Sequence, residues 1–165
     1  MSEFTISDRH HLDAAPGWLG LGSWEEANDE LDNITPQLRG HPEVLGVRFQ
    51  IYAKAEKWEY AVEVARSISE LIPDNPFGHF HLAYSFHELK RTKEAYDVFI
   101  CVVDKFPTEH LIRYNLACYA CRLGNLKEAY RWMEKAIDLA GKEDVRQAAL
   151  DDPDLEELWI QIAEI

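Results

Sequence analysis

Two groups of side chains in this sequence have residue types and spacings that could support chemistry: a cysteine pair and a histidine cluster. Cys118 and Cys121 form a Cys-x-x-Cys pair inside the stretch YNLACYACRL. Such a pair binds zinc when two further ligands follow, or does redox chemistry when it begins a helix whose dipole lowers the thiol pKa. No second ligand pair follows, and the stretch is typical of the middle of a helix. We therefore favour buried structural cysteines, with redox or zinc chemistry as the alternative.

The histidines of HFHLAYSFHE raise a similar metal hypothesis. His79 and His81 point to different faces of a helix, and His81 and His87 are six residues apart, which is not a same-face spacing. No acid at ligand spacing on a second helix completes a site. The sequence also lacks GxSxG, a phosphate-binding glycine loop and HExxH. We predict no catalytic residues, no metal and no cofactor, so the protein is not expected to be an enzyme.

The elements that must position these residues follow from an internal repeat. The motif KEAY occurs at 93–96 and again at 127–130, so Ala95 and Ala129 are 34 residues apart. The same interval backwards gives Ala61 and Ala27. Four further columns of this frame are mainly apolar: Leu31, Ala65, Phe99 and Met133; Ile34, Ile68, Val102 and Ala136; Ala15, Phe49, Ala83 and Ala117; Trp18, Tyr52, Phe86 and Ala120. A period of this length predicts stacked supersecondary units.

Each repeat shows helical periodicity. Apolar residues fall four and seven positions apart in both halves of a repeat, as at Leu82, Phe86 and Leu89. A short polar break separates the halves, and Gly22 and Gly124 stand where a helix end commonly needs a positive φ. Proline or glycine then ends the second helix, at 73, 107 and 141. Each block is therefore predicted to be a helix–turn–helix unit, which buries its apolar face by stacking on its neighbours.

These features resemble the tetratricopeptide repeat (TPR) in a protein of the small bacterial type. The resemblance implies an all-α fold, a right-handed α-solenoid of about 3.5 TPR helix–turn–helix repeats with a C-terminal capping helix. The predicted parts are an N-terminal lead segment, the TPR array and the capping helices, at 1–14, 15–143 (repeats about 15–41, 42–75, 76–109 and 110–143) and 144–165. Because Pro16 and Gly17 do not suit a long helix, the first helix is expected to be short, over 16–22. Phe49 departs from the pattern, which usually has a small residue there.

The C-terminal segment, residues 144–165, leaves the repeat pattern. Asp152 is predicted to cap a helix whose first residue is Pro153. One apolar stripe follows, formed by Leu155, Leu158, Trp159, Ile162 and Ile165. The segment carries seven Asp and Glu residues and one arginine. This composition predicts a terminal cap that covers the last repeat and presents a charged face to water.

The resemblance also implies that the first helices of the repeats line a concave face that holds a peptide. Projecting the repeat frame gives the candidate peptide-binding residues: Gln50, Lys54, Phe77, Phe80, His81, Tyr84, His87, Tyr114, Asn115, Cys118 and Arg122. Residues 76–90 form a helix that is apolar on nearly all sides and must be covered. Either neighbouring repeats or the C-terminal helix cover it, or it forms an aromatic groove for an apolar or helical peptide segment. We favour the groove because Tyr and His are common at interfaces.

Composition limits the choice of partner and compartment. Lys and Arg number 17 against 30 Asp and Glu, a formal charge of −13, which disfavours nucleic acid and anionic membranes. No run of 18 apolar residues is present, and the N-terminus lacks the pattern of a secretory signal. Three cysteines suit free thiols in a reducing compartment. A cytoplasmic protein is therefore expected.

Together these patterns predict a non-enzymatic protein–protein interaction module that binds an apolar or helical peptide in an aromatic-lined groove. The partner would be a protein or peptide, with no nucleic acid and no membrane. Two alternatives stay open. One is a chaperone of a secreted hydrophobic protein, similar to the acidic translocator chaperones of type III secretion; the other is a scaffold that forms a homodimer.

Overall fold

The computed structural model describes residues 3–164, and that range is helical without a strand. It divides between Leu89 and Lys90 into two compact units. The first unit contains α1 (Ile6–Gly20), α2 (Trp24–Asp32), a short 3-10 helix (Pro36–Leu38), α3 (Pro42–Lys54), α4 (Trp58–Leu71) and α5 (Phe77–Glu88). The second contains α6 (Thr92–Ile100), α7 (His110–Arg122), α8 (Leu126–Ala140), α9 (Lys142–Leu150), a 3-10 helix (Pro153–Leu158) and α10 (Trp159–Glu164). The predicted all-α class is confirmed.

The 34-residue period appears directly in the backbone. The second helix of each predicted repeat begins at Trp24, Trp58, Thr92 and Leu126. The residue two positions before each start has a positive φ: Gly22 (83°), Glu56 (56°), Lys90 (61°) and Gly124 (78°). The predicted positive φ at both glycines is confirmed, and at Glu56 and Lys90 the same conformation is held by residues with a Cβ.

At Gly22 and Gly124 the backbone closes the preceding helix with a paired set of hydrogen bonds. The N–H of Gly22 donates to the Leu19 carbonyl at 3.1 Å, and the N–H of Ser23 donates to the Trp18 carbonyl at 3.1 Å. The same pair recurs after α7, where Asn125 N–H donates to the Ala120 carbonyl at 2.8 Å. This is a Schellman cap, which needs its left-handed residue to reverse the chain.

The alanines that define the repeat frame are all fully buried: Ala27, Ala61, Ala95 and Ala129. Small residues at these positions let the two helices of a pair approach closely. A closer approach occurs in the first unit, where Gly78 of α5 lies against the backbone of Ser69 in α4. In the second unit the two KEAY motifs contact each other. The Tyr96 hydroxyl of the first donates to the Glu128 carboxylate of the second at 2.6 Å.

The predicted short first helix over 16–22 is wrong, since α1 runs from Ile6 to Gly20 with Pro16 inside it. A capping box starts the helix: Thr5 Oγ1 accepts from the Asp8 N–H, and the Asp8 carboxylate accepts from the Thr5 N–H at 2.9 Å. Pro16 itself is exposed, so its ring does not disturb the buried side of the helix. The apolar side of α1 is buried at Leu12, Ala15 and Leu19. That burial offsets a proline penalty of about 3 kcal/mol.

Asp8 also joins the start of α1 to the chain after α2. Its second carboxylate oxygen accepts from the Thr35 N–H at 2.7 Å, and the residue is only 2% exposed. The Thr35 N–H, followed by the Thr5 hydroxyl, holds the pKa of this carboxyl well below its usual range. Residues 6–14, predicted as part of a lead segment, therefore form an anchored part of the first unit.

The predicted end of the third repeat's second helix at Pro107 is also wrong, because α6 ends at Ile100. The chain from 101 to 109 is a series of turns, organised by the buried side chain of Arg113. Its guanidinium donates to the carbonyls of Phe106 (2.9 Å), Glu109 (3.1 Å) and Val103 (3.2 Å). One side chain thus supplies the donors that a continued helix would have supplied from its backbone.

The C-terminal segment has the N-cap predicted from the sequence, but its helix is not α-helical throughout. Asp152 accepts from the Asp154 N–H at 3.0 Å, with Pro153 in the first helical position, as predicted. The helix begins in the 3-10 form and becomes α-helical at Trp159. Leu155, Leu158 and Ile162 of the predicted stripe are buried. Ile165, the last member of that stripe, lies outside the described residues, as do Met1 and Ser2.

Candidate functional site

The first unit places an aromatic face on α3 and α5 with His81 at its centre. The His81 ring stacks on Phe49 of α3, with centroids 3.9 Å apart and planes at 23°. Phe77, one turn earlier on α5, meets the same imidazole edge-on at 4.0 Å and 79°. Phe49 is almost fully buried, so it forms the floor beneath His81. Phe49, the bulky residue that departs from the repeat pattern, therefore supports the His81 ring from below.

His81 is held in its neutral form. Burial lowers the pKa of its imidazole from 6.5 to about 4, because the charged ring would lose its contact with water. Its Nε2 is buried and has no hydrogen-bond partner among the described residues. A buried polar atom without a partner is uncommon in a native protein, and it adds to the cost of charging this ring.

We expect His81 to make the first unit less stable in mild acid. The native pKa is depressed, so its contribution is complete above pH 6.5 and is lost as the pH falls from 6.5 to about 4. The full shift would correspond to about 3 kcal/mol, which partial exposure of the ring reduces to about 1–2 kcal/mol. His81→Phe should keep the stacking and remove this loss. Urea unfolding at pH 7.5 and pH 4.5 measures the difference, and an equal acid loss in both proteins would contradict the assignment.

Two aromatic side chains of the face are open to solvent. Phe77 is 40% exposed and Tyr84 is 47% exposed, and they lie two turns apart on α5 with His81 between them. Tyr84 contacts Trp58 edge-on at 5.4 Å and 86°, which fixes the direction of its ring. Burial of part of the ring, together with Glu88, raises the pKa of the Tyr84 hydroxyl. The tyrosine is therefore neutral and can donate a hydrogen bond at physiological pH.

The other predicted residues of the first unit lie around this face. Gln50 and Lys54 are exposed on α3, one turn apart. Phe80 and His87 are half-buried on α5. Phe77, His81, Tyr84 and Glu88 are spaced by four, three and four residues, so they form one continuous side of α5. The site in this unit is thus built from a rigid floor and two exposed aromatic rings.

In the second unit the C-terminal segment lies on part of the predicted groove side of α7. Tyr114 donates its hydroxyl hydrogen to Asp152 at 2.9 Å. Arg122 forms an ion pair with Asp154 at 3.0 Å. Asn115 donates to the Leu111 carbonyl of its own helix at 2.7 Å. The middle and end of α7 therefore already have intramolecular partners.

Cys118 and Cys121 are both buried on α7, and all three cysteines are free thiols. The Cys118 sulfur lies 3.6 Å from the Asp152 carboxylate. Burial raises the pKa of both thiols, and Asp152 adds to the effect at Cys118. A raised pKa keeps both thiols protonated, as expected of cysteines that serve only in packing. Nucleophilic and metal-bound cysteines are thiolates. Cys118 is covered by Asp152 and is not accessible to a guest in this arrangement.

The start of α7 is different, because an open cleft of about 320 Å³ separates it from α9. Its lining is mostly apolar: Leu111, Tyr114, Ala140, Val145 and Ala148, with His110 and Asp144 as polar groups. Leu111 is 47% exposed. The repeat frame predicted Tyr114 as a binding residue. It did not predict the residues of α9 that line the cleft, because residues 144–150 lie outside the repeat columns. A weak signal was present in the AAL stretch of α9.

Trp58 and Phe49 were also absent from the predicted site. Phe49 lies in an apolar column of the repeat frame and Trp58 in none, and their roles follow from their ring contacts with His81 and Tyr84. Across residues 3–164, no three His, Cys, Asp or Glu side chains come together as a possible metal site. Within the same range, no helix has both the length and the apolar character needed to cross a membrane.

Comparison with known proteins supports the repeat fold through structure. No protein-family model matches the chain, and no curated protein matches it in sequence. The structure of MamA (residue 41 to the end) from Desulfovibrio magneticus RS-1 has a TM-score of 0.73 and 21% identity, over 98% of this chain and 96% of that one. A second MamA crystal structure gives a TM-score of 0.74 at 14% identity, over 96% and 88%.

A third similar structure is a thermophilic TPR protein of Thermus thermophilus. Its TM-score is 0.65 at 16% identity, covering 94% of this chain and 82% of that one. At these identities the likeness establishes the fold alone. The protein therefore has a TPR-type, all-α fold, as the KEAY repeat and its 34-residue period predicted.

Proposed function

We propose that the protein is a non-enzymatic protein-interaction module whose first unit binds an apolar or helical peptide segment of a partner on the α3–α5 face. The observation that carries the proposal is the pair of exposed rings, Phe77 and Tyr84, placed on either side of the half-buried His81. Large aromatic side chains on a preformed surface are frequent anchors of protein interfaces. The repeat fold supports the proposal, since stacked helices present extended binding surfaces.

The chemistry of the face favours a partner that is mainly apolar with one hydrogen-bonding group. Phe77 and Tyr84 offer rings that gain by losing contact with water. The exposed, neutral side chain of Tyr84 is the group of this face that could form a hydrogen bond with the partner. Gln50 and Lys54, exposed on α3, provide polar contacts at the edge. Because His81 is held neutral, it suits recognition better than proton transfer.

The expected result of replacing Phe77 and Tyr84 together with alanine is loss of partner binding with retention of the fold. Both rings are exposed, so their removal leaves no large cavity. Each truncation should cost about 2 kcal/mol of binding energy, or roughly 30-fold in affinity. Affinity capture from native cell extract, quantified by mass spectrometry, identifies partners that bind the natural protein and not the double variant. Titration of the identified partner then gives the dissociation constants.

Leu71→Ala is the matched control, because Leu71 is an exposed apolar residue of α4 in the same unit and is not part of the face. It should bind the partner as the natural protein does. Circular dichroism of both variants checks that the helices persist. Equal partner binding by the double variant would show that the α3–α5 face is not the binding surface. Light scattering at several concentrations tells whether the captured partner is a second copy of the chain.

A further inference from the structure

We infer that the α7–α9 cleft of the second unit is a separate binding pocket for one large apolar side chain of a partner protein, flanked in the partner's sequence by Lys or Arg. This goes beyond the proposed function, which concerns the first unit. The cleft volume of about 320 Å³ equals roughly ten water molecules at about 30 Å³ each. It lies at the small end of ligand pockets, about 300–1,000 Å³, which suits an anchoring side chain.

The walls of the cleft are fixed before any partner arrives. Tyr114 is held by its hydrogen bond to Asp152, so its ring forms a stable side wall. Val145 of α9 is nearly fully buried and sets the floor. Gly141, between α8 and α9, has φ 97° and ψ 152°, a conformation that is essentially restricted to glycine. The corner that separates α9 from α8 is therefore defined by the backbone, and the cleft is preorganised.

The charge around the cleft decides the chemistry of the partner. Asp144 lines the cleft itself, beside Ala148 on the next turn of α9. The lining includes no Lys or Arg, and Arg146 of the same helix is already bonded to the Ala163 carbonyl at 3.0 Å. A leucine or phenylalanine of the partner would fill the space between Leu111 and Val145. A cation next to it would meet the Asp144 carboxylate, whereas an acidic neighbour would be repelled.

The test uses the full-length, ¹⁵N-labelled protein and three acetylated, amidated hexapeptides. The first has two central leucines flanked by arginines; the others replace the arginines by glutamates or the leucines by serines. The arginine–leucine peptide should shift the backbone amide signals of residues 111, 140 and 148. It should bind at least tenfold more tightly than either matched peptide, because it alone combines the apolar anchor with the cation.

Four variants determine where the peptide binds. Ala148→Phe fills the cleft from an exposed position and should abolish binding, and Leu111→Ser, which removes one wall, should weaken it at least tenfold. Asp144→Lys should reverse the preference toward the glutamate–leucine peptide. Glu143→Lys makes the same change of charge at the neighbouring position, which does not line the cleft. It should have a much smaller effect on peptide binding.

The inference is overturned if the arginine–leucine peptide causes no shifts in these signals at millimolar concentration. It is also overturned if Ala148→Phe and Leu111→Ser both bind normally, or if Glu143→Lys and Asp144→Lys act alike, which would indicate nonspecific charge attraction. The Phe77 and Tyr84 double variant should still bind this peptide. The outcome at the cleft is thus independent of the outcome on the α3–α5 face.

Discussion

Gly78→Ala is expected to lower the free energy of unfolding by about 2–4 kcal/mol, although alanine is the better helix former by about 1 kcal/mol. A Cβ at this position would lie 2.5 Å from the Ser69 nitrogen and 2.7 Å from its Cα. Both atoms belong to the backbone of α4 and cannot move aside as a side chain can. The helices α4 and α5 would have to separate, which loosens the packing beneath the aromatic face. Urea unfolding followed by circular dichroism measures the change.

Gly46→Ala is the matched control for this prediction. Gly46 is also inside a helix of the first unit, and the nearest atom to its added Cβ is Phe77 Cε1 at an ordinary 4.0 Å. Alanine there should raise stability by about 0.5–1 kcal/mol through helix propensity alone. If Gly78→Ala were as stable as Gly46→Ala, the close approach of α4 and α5 would be refuted.

Arg113→Met should destabilise the second unit by about 3–5 kcal/mol, because three main-chain carbonyls would lose their donor in a buried place. Methionine retains much of the volume of the arginine stem, so the effect reports mainly on the guanidinium. The turns at 101–109 have no regular helix to replace these bonds. Hydrogen exchange should therefore rise first in this segment, and chemical unfolding should shift to lower denaturant.

Arg122→Met is the comparison on the same helix. In its ion pair with Asp154 the arginine side chain is 44% exposed, so the pair should contribute less than about 1 kcal/mol. Arg113→Lys should fall between the two, since one ammonium group cannot reproduce the guanidinium fork that reaches three carbonyls. Equal stability of the Arg113 and Arg122 methionine variants would show that the turns do not depend on Arg113.

The helical repeat was predictable because its signal is periodic and repeated. Ala27 and its three counterparts recur at one interval, and each is buried as expected. The departures have local causes that periodicity does not detect. The full length of α1 depends on the Thr5–Asp8 capping box that starts it and on the buried apolar side that offsets the cost of Pro16. The early end of α6 depends on Arg113, a side chain that acts ten residues away on Val103.

The candidate site was predictable in part for the same reason. The repeat frame located Phe77, His81 and Tyr84 on α5, but it could not show that Phe49 supports His81 from another helix. The frame also treated all of α7 as one surface. The structure divides that helix, because Asp152 and Asp154 engage its middle and end while its beginning borders an open cleft. These distinctions arise from contacts distant in sequence.

The four turns that precede the second helices each contain a residue with positive φ, but they differ in residue type. Glycine adopts this conformation freely at Gly22 and Gly124, whereas Glu56 and Lys90 retain a strain of about 1 kcal/mol each. All four positions are exposed and lie outside both candidate binding surfaces. Exchange between glycine and longer residues at these points would change heat tolerance while leaving recognition intact. The stability of the fold can therefore change through these turns without a change in either proposed binding surface.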